Sequence, residues 1–380
     1  MTKEEGKKTS KKGSHVCMYL TVGTAVAAWV LAAALGWTAQ EHSTLVRTQG
    51  RGEQLSPDFR GIPAAAEGAG AFVRSEASGL WLHRQAWEPQ GGAAAARAVV
   101  VFSHGYAEHS ARFLDLAKSL QAAGVAVAMQ DLEGHGRSEG DKVFVPRFTR
   151  YLEDYAALLR AARAAHPGVP VVCAGQSMGS LVAALTAESA ANSTSGALCD
   201  GVVLLALPAQ GPMERLARRA PAVLSAVDAV ARVLPRLPLV HLNDLDELTS
   251  DEAEYNDWAA DPLCTRVRVR ARTGAEMVHA QMTAADLAAR VRVPLLVVHG
   301  ENDTIALADG ARAFFRDAST PAEHKQIRVY SGSRHCVLMD PKYKQTALND
   351  ITAFVLQHVA KQPVETPENK SDYVEVDSTL

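Results

Sequence analysis

Along most of the chain, short runs of Val, Leu and Ala alternate with longer stretches whose apolar residues recur every three or four positions. The short runs fall at 80–87, 98–103, 125–130, 169–174, 201–207, 294–299 and 326–330, and the later ones are apolar almost without interruption. A strand apolar on both sides is covered on both faces, as in a parallel sheet between helices. Helical stretches at 111–123, 148–165, 178–191, 307–316 and 342–360 lie between the runs. Asp340-Pro341 offers an N-cap acid followed by Pro at the first helical position, which predicts the start of the last helix there. The alternation predicts an α/β fold with a doubly wound, mostly parallel sheet and no internal repeat.

Two regions break the rhythm. From 208 to 291 no strand pattern is visible and charge is segregated. Arg215, Arg218 and Arg219 come first, then eight acids from Asp244 to Asp261 with no Lys or Arg among them, then Arg266, Arg268, Arg270 and Arg272. An insertion of this length after the fifth or sixth strand reads as a helical cap over the active edge of the sheet. Its charge blocks read as solvated faces and mutual pairs. Contact of its arginines with anionic lipid headgroups is the second reading.

The other break is residues 16–39, which contain no charge. As a helix these 24 residues reach about 36 Å, enough for a hydrocarbon core of about 30 Å. Tyr19 and Trp37 lie near the ends, where aromatic rings favour the interface. Lys3, Lys7, Lys8, Lys11 and Lys12 precede the span, against Arg47 and Arg51 after it. That asymmetry predicts a single-pass anchor with residues 1–15 in the cytosol and the catalytic domain on the lumenal or extracytoplasmic side. A signal peptide cut after Gly36 and a buried core helix are the competing readings. Residues 40–70 read as a polar linker, 71–362 as the folded domain with its cap at 208–291, and 363–380 as a disordered tail. Asn192 and Asn369 head sequons. A third sequon at Asn302 overlaps the candidate chemistry described below.

Composition adds exclusions. With 47% hydrophobic and 21% charged residues the chain can bury a sizeable core, and a net charge of −3 gives no case for a nucleic-acid partner. The five cysteines (17, 173, 199, 264 and 336) have neither zinc-site nor disulfide-framework spacing.

The candidate chemistry sits in loops after strands. Gly175-Gln-Ser-Met-Gly179 follows an apolar run and precedes a helical one, the setting of a strained nucleophile elbow at Ser177. A nucleophilic Ser needs a base, and the base needs an orienting acid. In this architecture the order is Ser, then acid, then His. Of the histidines well beyond Ser177, His335 alone stands in a loop just after a strand. Asp303, a few residues past the preceding strand, is the candidate acid, with Glu301 as the alternative. The backbone N–H groups of Met178 and Tyr106 are the candidate oxyanion donors. His104 and His135 read as loop scaffolding. Cys336 adjoins the base and reads as a site where alkylation would inhibit. This chemistry calls for no metal or organic cofactor.

The motifs together resemble those of monoacylglycerol lipases. His104-Gly-Tyr-Ala-Glu-His-Ser-Ala-Arg112, Gly134-His-Gly-Arg-Ser-Glu-Gly140, the elbow, Tyr255-Asn256 and Asp261-Pro262-Leu263 are similar to that family's landmarks and in the same order, over roughly 75–360. The resemblance implies an α/β-hydrolase fold, a lidded acyl-chain tunnel, and cleavage of a lipid ester to free fatty acid and glycerol. It also suggests that Glu108 and Arg112 shape a polar pocket near the glycerol end, an equal reading being an ion pair or loop-stabilising hydrogen bonds. Departures are Gln176 where His is usual, the bulk of Tyr106, and the lack of a second His soon after His335. A lysophospholipase or broad carboxylesterase is the nearest alternative, and an inactive membrane-tethered binding module is one of another class. If the anchor is oriented as the lysines indicate, the chain beyond it is protected from added protease in microsomes until detergent opens them. Cleavage without detergent would refute that orientation.

Overall fold

The computed structural model describes residues 71–191, 198–240, 245–265 and 268–360. All lie within Arg60–Leu380, the second of two units into which the chain divides. The span expected at 16–39, the basic N-terminus, the linker, the tail and the sequons at Asn192 and Asn369 lie outside the described residues. Among the described residues, no helix is long and apolar enough to cross a membrane.

The chain forms β1 (Ala71–Arg74), β2 (Trp81–Trp87), β3 (Ala98–Ser103), α1 (Leu114–Ala122), β4 (Val125–Gln130), α2 (Phe148–Ala165), β5 (Val171–Gln176), α3 (Met178–Ala191) and β6 (Gly201–Leu205). An insertion follows, with α4 (Pro212–Arg219), α5 (Pro221–Val233), β7 (Pro238–Val240), α6 (Leu245–Leu248), α7 (Glu252–Ala260), β8 (Val269–Arg270) and α8 (Ala271–Leu287). The main sheet then resumes through β9 (Leu295–Gly300), α9 (Ala308–Asp317), β10 (Lys325–Tyr330) and α10 (Lys344–Phe354).

Eight strands make one sheet in the order β1-β2-β4-β3-β5-β6-β9-β10. It is parallel from β4 to β10, and β1 and β2 add an antiparallel edge. The unbroken apolar runs of β3, β5, β6 and β9 are buried at every position. Successive residues of a strand point to opposite faces. Val99 and Val101 therefore pack with Leu158 and Leu159 of α2 and Leu181 and Val182 of α3. Val100 and Phe102 pack with Leu116 and Leu120 of α1 and Ile351 and Phe354 of α10. Helices on both faces are what the doubly wound reading requires.

The structure departs from the sequence pattern in four places. β1, outside the runs read as strands, pairs with β2 and extends the sheet at its edge. The strandless insertion contains a small antiparallel ladder, β7 with β8, three and two residues long. Such lengths are too short to show a period. Within the same insertion, α8 joins the helical layer on the sheet through Ala280 and Ala284. The last helix begins at Lys344, not at Asp340-Pro341. Asp340 instead closes a turn, its Oδ1 accepting the Lys342 N–H and its carbonyl those of Tyr343 and Lys344. A side chain that bonds two residues ahead stabilises a turn as readily as a helix start.

Arg218 and Arg272 of the insertion pair within it, but with acids outside the 244–261 block, whose Asp257 and Asp261 instead face Arg112 and His109. Arg218 meets Glu214 one turn back and Asp286 of α8, and Arg272 lies 3.5 Å from Glu276. Arg270 is buried, its guanidinium over the Phe144 ring.

Asp131, just past β4, organises the loops below the site. Fully buried, it accepts hydrogen bonds from the N–H and hydroxyl of Ser110 and from the Arg137 N–H, and it faces His83 at 3.3 Å. Replacing it with Ala leaves these donors without an acceptor. Asp131→Ala is therefore expected to lower stability by about 3–5 kcal/mol in urea unfolding. A loss below about 1 kcal/mol would refute the role.

Candidate active site

The carboxyl ends of β3, β5, β9 and β10 reach the same edge of the sheet, where ligands bind in open α/β folds. Ser177 stands between β5 and α3 with φ 52, a left-handed conformation costly for a side chain. Two glycines let the chain turn that tightly. A Cβ on Gly175 would collide with the backbone of Gly179, and one on Gly179 with the backbone of Ser103. The strain lifts the serine off the sheet edge and aims it at the base.

The candidate base, His335, has its Nε2 2.8 Å from Ser177 Oγ. Its Nδ1 lies 2.7 Å from Asp303 Oδ2. An ionised carboxylate only accepts, so Nδ1 carries the proton and Nε2 is left to accept from the serine. Asp303 is itself well held, its Oδ1 accepting the N–H groups of Ile305 and Ala306. Burial works to raise its pKa, but His335 and His299 outweigh it and hold the carboxyl well below the usual range. For His335 burial works downward, but Asp303, with Glu108 and Glu247 behind it, outweighs burial and raises the pKa. The other candidate acid, Glu301, is exposed and accepts from the Ser331 hydroxyl, away from His335.

Gly105 and Tyr106 form one wall beside the serine. Met178 opens α3, so its N–H belongs to the helical turn that lacks intrahelical partners. The bulk of Tyr106 is stored sideways, its hydroxyl donating to the Val143 carbonyl and its ring meeting His135 edge-on. His104 is scaffolding. Its Nε2 accepts the Leu132 N–H, its Nδ1 donates to the Gly105 carbonyl, and burial lowers its pKa to about 4. His135 is likewise buried, its pKa lowered to about 3.

Glu108 lines the cavity and also accepts the Gly105 N–H at 2.7 Å. Burial pushes its carboxyl up to about 7, against the Gly105 bond and the charges of Arg112 and His335. Arg112 pairs with Asp257 at 2.5 Å and lies 3.8 Å from Asp261, which His109 also holds at 2.8 Å. This arginine thus ties the insertion to the loop after β3. Among the described residues, the group spaced to hold a metal is His109, Asp261 and Cys264. Its carboxylate is already matched by His109 and Arg112.

A small cavity of about 10 Å³ opens on Ser177, lined by Glu108 and Gln176 on its polar side and by Leu248, Trp258 and Cys336 on its apolar side. Burial, Glu108 and Asp303 push the Cys336 thiol well above its ordinary pKa. It stays protonated, and as a poor nucleophile it answers weakly to the alkylation expected of it.

Two contributors had no assigned role in the sequence. Gln176 donates to the His335 carbonyl at 3.3 Å. His299 lies 3.1 Å from Asp303 and donates through Nε2 to the Ala306 carbonyl. The signal for Gln176 was its departure from the usual His, and for His299 its place at a strand end four residues before the acid.

A strained serine on an elbow, a histidine and a buried acid on this sheet define a serine hydrolase of the α/β type. The chain belongs to the family described as serine aminopeptidase, S33, whose model matches residues 94–342. It is 28% identical over 263 residues to the monoacylglycerol lipase of Mycolicibacterium smegmatis, covering 69% of this chain and 89% of that one. It is 26% identical over 292 residues to human monoglyceride lipase, covering 77% and 92%. The crystal structure of Paleococcus ferrophilus monoacylglycerol lipase superposes with a TM-score of 0.62 at 23% identity, over 73% of this chain and 99% of that one, and this shows the shared fold.

The base works as neutral imidazole, so activity falls as pH drops through the His335 pKa. Glu108 raises that pKa. Glu108→Gln keeps an acceptor for the Gly105 N–H but removes the charge. The acid limb of kcat/KM for a chromogenic ester is therefore expected to move to lower pH. An unmoved limb, or one at higher pH, would refute the coupling.

Proposed function

We propose that this chain hydrolyses the ester bond of monoacylglycerols through an acyl-enzyme, with Ser177 as nucleophile, His335 as base and Asp303 as its orienting acid. The observation that carries it is the continuous contact from Asp303 through His335 to Ser177 at the wall of a part-apolar cavity. Ser177 Oγ attacks the ester carbonyl and passes its proton to His335 Nε2. The oxyanion is received by the N–H groups of Met178 and Tyr106. Collapse breaks the bond to glycerol, which leaves with the proton from His335. Water, deprotonated by His335, then attacks the acyl carbonyl and frees the fatty acid.

The substrate class rests on the relatives named above and on the cavity's chemistry. Leu248, Trp258 and Cys336 suit the acyl end, and Glu108 is a hydrogen-bond acceptor for a glycerol hydroxyl. A phosphate ester beside the same buried carboxyl would add negative charge where burial already disfavours it, which favours an uncharged head group over a lysophospholipid. At about 10 Å³ the cavity has room for about one water molecule, so the insertion moves to admit an acyl chain.

Residues 16–39 complete the reading as a bilayer anchor that keeps the catalytic domain beside its substrate on the lumenal or extracytoplasmic side. The lack of charge in that stretch and the lysines before it support this.

Two measurements test the activity. Ser177→Ala is expected to abolish labelling by a fluorophosphonate probe and to cut turnover by at least about 10⁴-fold. In a substrate panel, long-chain monoacylglycerol is expected to be turned over faster than a lysophospholipid. Retained turnover in the variant would displace Ser177, and a preference for the lysophospholipid would displace the proposed substrate.

A further inference from the structure

The loop that carries His335 is held from two sides. From the sheet, the Asn302 N–H reaches the Ser333 carbonyl at 2.9 Å and Gln176 reaches the carbonyl of His335. The other side is supplied by the insertion. The N–H of His335 donates to the Glu247 carbonyl at 3.2 Å, and that of Cys336 to the Leu248 carbonyl at 2.9 Å. Arg334 Nη1 donates to the Thr249 carbonyl at 2.9 Å, and Thr249 Oγ1 returns a bond to the Met339 carbonyl at 3.2 Å. The N–H groups of His335 and Cys336 belong to buried residues, as do Leu248 and Thr249 opposite them. Leu248, Tyr255, Trp258 and Cys336 form a separate apolar cluster around them, with Met339 packed against it.

We propose that residues 247–249 of the insertion are a positioning strap for the catalytic histidine, which sets the base at its distance from Ser177 and Asp303. Backbone groups of the His335 loop that the sheet leaves unsatisfied are satisfied by this strap. The strap is more than eighty residues earlier in the chain, so only the fold brings the two together. Peeling it away would leave the N–H groups of two buried residues unpaired and free the imidazole to drift. A drift of about 1 Å at a reacting group costs up to about 10²-fold in rate. The strap and α7 therefore stay seated during turnover, and the movement that admits substrate falls to the part of the insertion before them. That part carries the three large apolar side chains exposed among the described residues, Leu216, Val233 and Leu239. The proposal rests on the hydrolase reading above.

The test uses the full chain and three variants. Thr249→Val keeps the volume and loses both the bond to the Met339 carbonyl and the one from the Asp251 N–H, Arg334→Met loses the bond to Thr249, and Thr249→Ser retains the hydroxyl. The first two are expected to lower kcat for a chromogenic ester on the order of 10-fold with little change in KM. They are also expected to broaden the far-downfield proton signal of the His335–Asp303 hydrogen bond in the resting enzyme. Thr249→Ser is expected to restore both, and thermal melting separates a displaced base from a general loss of fold. Unchanged kcat in folded Thr249→Val and Arg334→Met overturns the strap, as does a fall in kcat with the downfield signal intact. Wild-type protein that turns over no ester would overturn the hydrolase reading. The strap would still be judged by the downfield signal.

Discussion

The hydrogen bond from His335 Nδ1 to Asp303 is the contact on which the rest of the site depends. An imidazole free in a loop exposes either nitrogen as acceptor, and only one of them faces Ser177. A carboxylate that cannot donate removes the ambiguity. The protein invests heavily in keeping Asp303 ionised although burial opposes it. Two backbone N–H groups and two histidines surround that one side chain. Charge held there raises the basicity of His335 and stabilises the imidazolium that forms when the serine gives up its proton.

The elbow imposes the complementary constraint. A left-handed serine is tolerated because Gly175 and Gly179, two residues to either side, lack side chains and because β5 beneath it is buried at every position. The same tightness brings Gly105 and Glu108 against the serine, so the polar wall of the cavity and the nucleophile are parts of one packed arrangement. Glu108 thereby does two things at once. It fixes the loop after β3 and adds negative charge near the base, and its raised pKa reflects the burial this requires. Arg112, which the motif alone left between a pocket role and an ion pair, is drawn into the ion pairs that join this loop to the insertion.

Much of the scaffold was legible before any coordinates. Continuous Val and Leu runs mark strands buried on both faces because such strands have no polar side to reveal. The elbow was legible because its glycines, its serine and the flanking patterns coincide. Asp303 and His335 were reached by their order and by their positions just beyond strands. What escaped notice was short or ambiguous. A strand of two or three residues has no period, and Asp340-Pro341 serves a turn as well as a helix start. Gln176 escaped because its partner, the His335 carbonyl, lies 159 residues on and is not written in its own neighbourhood; His299 escaped because it reads as the end of a strand, although its partners Asp303 and Ala306 follow in the next loop.

By itself the sequence determined the class of fold, the loops that bear the candidate chemistry and which residues are the candidates for nucleophile, base and acid. Each follows from local spacing, which short-range sterics and hydrophobic period dictate. It also holds the uncharged stretch at 16–39 on which the expectation of an anchor rests, a matter of length and charge alone. Tertiary structure decided how residues 247–249 meet 334–339, why Arg112 pairs as it does, and which neighbours set the protonation of Glu108 and His335. Those outcomes depend on burial and on distances between segments far apart in the chain, and neither quantity exists until the sheet and its insertion have packed.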